Sequence, residues 1–471
     1  MSIHSPILRP LLVLLGLLSG LLTAGVTEAQ GSEPLGDPHF YIEEIEVEGL
    51  KRASPEVVIS ESLLTPGREY SESDLRNAIY RINRLPFVLE SRFSLAKGSE
   101  RGRFRLIIEV DEVARFFFGA DVGATAFNRD LSLDELEPED FNTRTDGLAG
   151  LRFFFGKYGT FFGAVTSNGS IQLGLTRYQL WGRRGFLSLG LVRQGCCPVT
   201  VRPLGLDPTF SRWSSDENSL QGTITAGLPL AGNHSLRFEA TRFQTTGSGP
   251  IQGSRIQVRD AFADSSVFNF HDDLVDQAIE LAWIYDSSDD PTFPTRGRTF
   301  SLAYELRELR ADLFTEFEVV FDGEDLLIVP TSQTTGMRTK LHRLIGSWTQ
   351  HWPVSRRHTF SATLRMATGI SEIEDLTLGE ELVLRQTDLD VFEAGLTLRH
   401  SAMLWETAGN LPPMEIHWET LGELGYEKTS PSFGLADNPL ERWSLQTALV
   451  FRSPWGLARL TLSVVDVGEA G

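Results

Sequence analysis

Cysteine is almost missing from this chain. Its 471 residues contain two, and they are neighbours, Cys196-Cys197. Adjacent Cα atoms lie about 3.8 Å apart, below the usual disulfide range. The pair reads either as two thiols near a strand end or as a strained vicinal bridge in an oxidising compartment. Metal binding has less support still, since no CxxC or CxxH partner lies nearby. Positive charge is in deficit: 43 basic against 63 acidic residues give a net charge of −20. That argues against nucleic acid as a partner, because such binders need a basic face. Catalytic signatures are missing as well. The nine histidines are scattered, with no HExxH, no GxSxG elbow and no phosphate-cradling glycine loop that opens a helix. Neither an enzyme nor a cofactor is expected. Long apolar runs are lacking beyond the N-terminus, where none reaches the ~20 residues that a membrane helix needs.

The one apolar run is N-terminal. Arg9 precedes residues 11–22 (LLVLLGLLSGLL), too short to span, and Thr27-Glu28-Ala29 places a small residue before Gln30. This is the layout of a secretory signal peptide over residues 1–29, with an uncleaved anchor as the alternative. No cysteine lies there, so a lipoprotein is not expected.

What the chain has in abundance is alternation. Leu220, Gly222, Ile224, Ala226 and Leu228 oppose Gln221, Thr223 and Thr225. Phe300, Leu302, Tyr304 and Leu306 oppose Thr299, Ser301 and Glu305, and Trp443, Leu445, Leu449 and Phe451 oppose Ser444, Gln446 and Arg452. Side chains of a strand alternate sides, so each segment reads as a strand with one apolar and one polar face. Roughly fifteen such candidates lie near 114–127, 147–156, 159–168, 170–181, 185–195, 217–230, 234–246, 274–287, 297–309, 338–353, 357–370, 390–404, 414–427, 442–453 and 457–467. Tight turns such as 156–159, 168–169 and 231–233 alternate with long polar loops at 128–146, 196–216, 247–273, 371–389 and 428–441. Residues 310–337 fit a strand extension or a loop hairpin equally. This is the signature of an antiparallel transmembrane β-barrel. Aromatics such as Phe153, Phe154, Phe155, Phe161, Phe162, Trp181, Trp283, Trp348, Trp352, Trp405 and Trp418 are expected at its membrane girdles and lipid-facing surface.

Residues 40–113 differ in texture. A strand at 42–50 (IEEIEVEGL) leads to Ser54-Pro55, a helix start. A second helix opens at Ser71 or Ser73 and places Leu75, Ile79, Ile82 and Leu85 on one face before Pro86. Strands at 87–96 and 103–110 follow. The order and the phrases IEEIEVEGLKR, LRNAIYRINRLPFV and FRLIIEVDE resemble a polypeptide-transport-associated (POTRA) domain. The resemblance implies a small βααββ periplasmic domain that adds a client strand to a sheet edge, around Phe93 or around Val47.

Motifs in the barrel region carry the same resemblance. Residues 286–297 (DSSDDPTFPTRG) look like the "D…P.FPT.G" turn of the BamA/TamA superfamily of outer-membrane β-barrel assembly proteins, of the surface antigen type. Its marked positions are Asp286, Pro291, Phe293, Pro294 and Gly297. The prolines fix φ and the glycine permits a bend. Calcium on Asp286, Asp289 and Asp290 has little support, since EF-hand spacing fails. In the resembled family an arginine on a returning loop pairs with lumenal acids. Arg385 takes that place, with Glu419 or Glu423 as partner, although Gln386-Thr387 replaces the family's Gly-aromatic pair. Ser453, Pro454 and Gly456 resemble the hairpin before the terminal strand pair.

The expected fold is therefore mostly β: one POTRA-like domain, then a barrel of about sixteen strands over 114–471, with the last strand missing from the sequence. The resemblance implies a bacterial outer-membrane location and a role in inserting or exporting polypeptides. Expected partners are the outer-membrane bilayer, unfolded outer-membrane or secreted clients, and periplasmic or inner-membrane assembly partners of the POTRA-like domain. The rival readings are a two-partner-type secretion pore and a passive porin-like barrel.

Overall fold

A computed structural model describes residues 37–127, 141–167, 169–180, 185–193, 219–230, 233–251, 257–258, 261–262, 268–322, 325–378, 381–407, 413–431 and 440–467. The N-terminal segment 1–29, Cys196-Cys197 and Trp181 lie outside the described residues.

The first unit is a four-stranded sheet under two helices. Its elements are β1 (His39–Glu48), a helix (Pro55–Ser62), β2 (Arg68–Ser71), a second helix (Glu72–Ile82), β3 (Val88–Lys97) and β4 (Arg103–Glu112). The strand order is β2-β1-β4-β3, with β1 parallel to β4 and the other pairs antiparallel. Of the two possible starts, the second helix uses Ser71. The Ser71 hydroxyl accepts from the Asp74 amide at 3.1 Å, and the Asp74 carboxylate accepts from the Ser71 amide at 3.0 Å, a complete capping box. Its apolar face buries Leu75, Ile79 and Ile82 against Ile42, Val58, Leu106 and Ile108. The short strand β2 has no counterpart in the apolar periodicity. Of the two candidate edges, Val47 lies on β1, which β4 already covers, whereas Phe93 lies on β3, whose paired neighbour among the described residues is β4 alone.

The second unit is a closed barrel. Its strands are β5 (Phe116–Phe127), β6 (Phe141–Phe155), β7 (Gly159–Thr166), β8 (Ile171–Tyr178), β9 (Phe186–Arg193), β10 (Ser219–Pro229), β11 (His234–Ile251), β14 (Phe268–Asp286), β15 (Gly297–Asp322), β16 (Asp325–Pro353), β17 (His358–Leu378), β18 (Glu381–Glu406), β19 (Glu415–Pro431), β20 (Leu440–Ser453) and β21 (Gly456–Val467). A two-residue pair, β12 (Gln257–Val258) and β13 (Ala261–Phe262), stands apart. Where about sixteen strands were expected, the described residues form fifteen, and these fifteen close the sheet. The reason is geometric. An odd number of up-and-down strands leaves the first and last running the same way, so β21 joins β5 as a parallel ladder from Gly456↔Phe118 to Val465↔Phe127. Residues 371–389, expected as a loop, are strand on either side of 379–380. The open choice at 310–337 resolves as strand extension, with β15 and β16 pairing as far as Asp322↔Asp325.

Parity divides the wall. Leu281, Leu302, Tyr304, Trp352, Trp405, Trp418, Leu424 and Leu460 are exposed outward, while Thr223, Thr225, Asp276, Glu419 and Arg452 are buried inward. Two aromatics depart from the expected girdle. Phe162 points inward beside Phe117, and Phe154 packs on the small domain. No helix among the described residues is long and apolar enough to cross a membrane.

The small domain sits on one barrel end, with a core that continues into the rim. Tyr178 belongs to that core, and Phe154, Tyr158, Phe186 and Leu457 pack against it. Phe87 meets Phe154 and Tyr178 edge-on, with ring centroids 5.7 and 5.9 Å apart. Edge-to-face rings add to the area they bury. At the same end the seam is pinned by amides of the first strand's approach: Ala114 donates to the Pro454 carbonyl at 3.0 Å and Phe118 to that of Trp455 at 2.8 Å.

Gly456 begins the seam. Its φ is +153° and an added Cβ would lie 1.7 Å from the Phe118 carbonyl oxygen. Gly456→Ala must therefore push β21 away from β5, whereas Gly222→Ala meets open space. Electrophoretic mobility before and after boiling checks this: the folded, fast-migrating band should be lost or weakened for Gly456→Ala and kept for Gly222→Ala.

Candidate functional site at the barrel mouth

The residues 287–296 between β14 and β15 form a rigid turn built from its own aspartates. The Asp286 carboxylate accepts from the Ser288 amide at 2.9 Å and its hydroxyl at 2.7 Å. Asp289 accepts from the amides of Thr295 and Arg296 at 2.8 and 3.2 Å. Asp290 accepts from the amides of Thr292 and Phe293, each at 2.7 Å. One oxygen of each of the three carboxylates is thus bound by backbone N–H donors of the turn. The neck closes where the Ser287 amide donates to the Arg298 carbonyl at 2.9 Å. Gly297 is required there: its φ is +102° and a Cβ would lie 2.3 Å from the Ser287 carbonyl oxygen. Pro291 and Pro294 stiffen the part of the turn that carries Phe293.

That turn folds into the mouth and seats Phe293 on the last strands. Phe293 is buried, stacks on His417 with centroids 3.7 Å apart, and packs on Ala448 and Val450. The guanidinium carbons of Arg399 and Arg452 each lie 5.9 Å from its ring centroid, within cation–π range. Arg452 is the junction. Its Nη1 donates to Asp290 at 2.9 Å and lies 3.5 Å from Glu415, while its Nη2 donates to the Leu89 carbonyl of the small domain at 3.1 Å. Glu415 also meets His417 at 3.0 Å. A second domain arginine, Arg84, reaches the Asp286 carboxylate at 3.0 Å and the Asp286 and Ser288 carbonyls at 2.8 and 3.1 Å. Burial would raise the Asp290 carboxyl, but Arg452 and the two turn amides hold it below the ordinary carboxylate range.

The residues singled out by sequence fall in different places. Asp286, Pro291, Phe293, Pro294 and Gly297 form the turn. Ser453, Pro454 and Gly456 form the β20–β21 hairpin, where the Ser453 hydroxyl donates to the Gly456 carbonyl at 3.1 Å. The expected pairing of Arg385 with Glu419 or Glu423 does not fit the register. Ser401 lies opposite Glu419 and Thr397 opposite Glu423, while Arg385 lies far up the extended β18, opposite Asp375. At about 3.3 Å per residue that is about 50 Å from Glu419 along the wall. Glu419 is taken instead by Arg399 and by Arg459 at 2.6 Å, and Glu423 accepts from the Ser444 hydroxyl at 3.3 Å. Glu419 is thus held by arginines of β18 and β21. Arg452, Arg399, Arg459, His417 and Glu415 escaped the sequence reading. Their signal is inward parity: each ionisable residue alternates with an apolar Trp, Phe, Leu or Ile on the other face.

No family model matches the chain, and no curated relative matches it. Among solved structures, the crystal structure of BamA from Haemophilus ducreyi lacking POTRA domains 1-3 is similar, with a TM-score of 0.40 and 12% identity over 91% of this chain and 81% of that one.

Removing one partner of a buried pair strands the other charge, which costs about 3–5 kcal/mol. Arg452→Ala should lower stability by up to that order, Asp290→Ala by less because Arg452 keeps Glu415 beside it, and the double variant by less than their sum. A double-mutant cycle in urea with micelle-bound protein measures the coupling. The pH sense follows from the lowered Asp290 value. Its contribution is complete above the ordinary Asp value and disappears only as pH falls through the lower folded value. Wild type should therefore keep the coupling through the ordinary carboxylate range and lose it in stronger acid. A coupling lost already at pH 5 would contradict the assignment.

Proposed function

We propose that this chain is a bacterial outer-membrane β-barrel that helps polypeptides insert into or cross that membrane, with its small domain in the periplasm. One observation carries the reading: the barrel mouth is occupied by a folded-in turn tied both to the domain and to the strands beside the seam. A passive pore gains nothing from such a plug. A barrel that must open for a client and close again needs one. The outward apolar face and polar lumen support the membrane setting. The POTRA-like order of the small domain and the DSSDDPTFPTRG turn support the assembly or translocation role.

In this reading a client strand docks on the β3 edge around Phe93. Leu89 on the same strand already accepts from Arg452, so an event on that edge reaches the plug directly. The client then passes by the β21–β5 seam, where the parallel ladder is slightly less stable per residue than an antiparallel one. No cofactor enters the scheme. A dedicated secretion pore shares every one of these parts and differs in its client.

Depletion in the native cell, with the abundance of other barrel proteins measured, tests the role; unchanged levels of all of them would count against general assembly. Planar-bilayer recording tests the plug. Wild type should conduct little, and Phe293→Ala combined with Asp290→Ala should raise the open probability severalfold. A large steady conductance in wild type would sink the gated reading in favour of a porin.

A further inference from the structure

The turns at the domain end of the barrel differ in what they touch. Lys157 pairs with Glu56, the Gln179 side chain donates to the Glu56 carbonyl, and Arg81 donates to Asn233, so three of these turns are bound by the small domain. The turn 287–296 is held by Arg84 and Arg452. The turn 354–357, between β16 and β17, makes no hydrogen bond, ion pair or ring contact to the domain among the described residues. It reads Val354-Ser355-Arg356-Arg357 and runs straight into His358. All five residues are exposed, Val354 at 69%. Neither arginine has an ion-pair partner among the described residues. In a chain of net charge −20, where the lumenal Arg307, Arg343, Arg399 and Arg459 are paired, two bare neighbouring guanidinium groups stand out.

Their surroundings face outward. Trp352, Phe360 and His400 lie side by side across β16, β17 and β18, in register Trp352↔Phe360↔His400. The first two rings stack at 5.9 Å. His358 stands beside this row, with its Nδ1 3.2 Å from Nε2 of His400 and the ring centroids 5.4 Å apart. Two imidazoles that share one hydrogen bond leave an N–H on the outer nitrogen of the accepting ring, whichever ring that is. Trp405 and Trp418 are also exposed on this side. Aromatic rings in such a belt mark the level of lipid headgroups, and the arginines stand at that level with an exposed valine beside them.

We propose that the turn 354–357, together with His358 and His400, binds the phosphate of an anionic phospholipid at the domain end of the barrel. The proposal rests on the membrane reading above. Arginine suits the task, since its planar fork meets phosphate oxygens in pairs, and the neighbouring imidazoles add N–H donors. Trp352 and Phe360 would lie against the glycerol and first methylenes. The consequence is orientation: the barrel holds a lipid on the β16–β18 side, away from the seam, and so fixes how the wall sits in its leaflet.

The test uses the full chain in neutral detergent micelles, with retained lipid counted by native mass spectrometry. Phosphatidylglycerol, phosphatidylcholine and inorganic phosphate are titrated separately. Wild type should retain phosphatidylglycerol in preference to phosphatidylcholine. The double variant Arg356→Gln/Arg357→Gln should bind it roughly twenty- to thirty-fold more weakly, from about one decrement per surface arginine. His400→Gln should weaken it by a smaller factor, and Arg101→Gln, in the exposed hairpin of the small domain, should not change it. All variants should keep the heat-sensitive fast band of a folded barrel. Equal retention with and without the two arginines would overturn the proposal while leaving the membrane reading intact, as would full competition by inorganic phosphate at equal concentration. A chain that stays folded and monodisperse without detergent would overturn both.

Discussion

A guanidinium buried at a barrel mouth brings five N–H donors and a charge into a place with little water, and everything around Arg452 answers that demand. Asp290 supplies the countercharge, Glu415 a second one, and the Leu89 carbonyl accepts a further N–H. These three acceptors come from a turn, a neighbouring strand and a separate domain. Satisfying one side chain therefore fixes the relative positions of three pieces of chain. A lysine could supply the charge but not the divergent donors, because its ammonium is a single point on a flexible stem. The pair with Asp290 is also self-consistent. The aspartate spends one oxygen on the turn amides that shape the turn and turns the other to Arg452.

The odd strand count sets the second constraint. Fifteen strands can close only through one parallel pair, and the chain places that pair where β20 and β21 have already brought Arg452 and Arg459 inward. Side chains also cross the parallel ladder. The hydroxyls of Thr125 and Ser463 share a bond at 2.8 Å, and Thr461 donates to Asp121 at 3.4 Å. Its firm end is at the mouth, where Gly456 lets the backbone of β21 approach Phe118 more closely than any side chain would permit.

Much of this was legible from alternation alone. Period-two patterning located all fifteen barrel strands, because an outward face that meets an apolar medium and an inward face that meets water impose opposite demands on successive residues. It also placed Glu419 inside, opposite Trp418. What it could not deliver was pairing across the lumen. Asp290 and Arg452 are 162 residues apart, and nothing in local sequence states which inward charges face one another. Arg385 failed for the opposite reason. The segment around it is polar, which reads as loop, yet it continues as paired strand, and strand geometry carries it far from the mouth. Phe162 and Phe154 misled as girdle aromatics. One fills the lumen, and the other meets a domain whose position the barrel sequence does not reveal.

Plug and seam are then mechanically one object. Phe293 rests on Ala448 and Val450 of β20, Arg452 lies on the same strand, and Arg459 on β21 shares Glu419 with Arg399. Any movement that takes β21 from β5 moves this hairpin. It must either carry the turn with it or break the Asp290 pair, the Phe293 stack and the Glu419 pair together. Carrying the turn strains its neck, where Ser287 and Arg298 are bonded at the ends of β14 and β15. Breaking the contacts leaves Arg452 with the Leu89 carbonyl and Glu415 alone. Either route costs free energy, so in the proposed gated reading the seated turn holds the seam shut, and a client on the small domain acts by moving β3 first. That withdraws the Leu89 carbonyl from Arg452 before any strand of the barrel has to part.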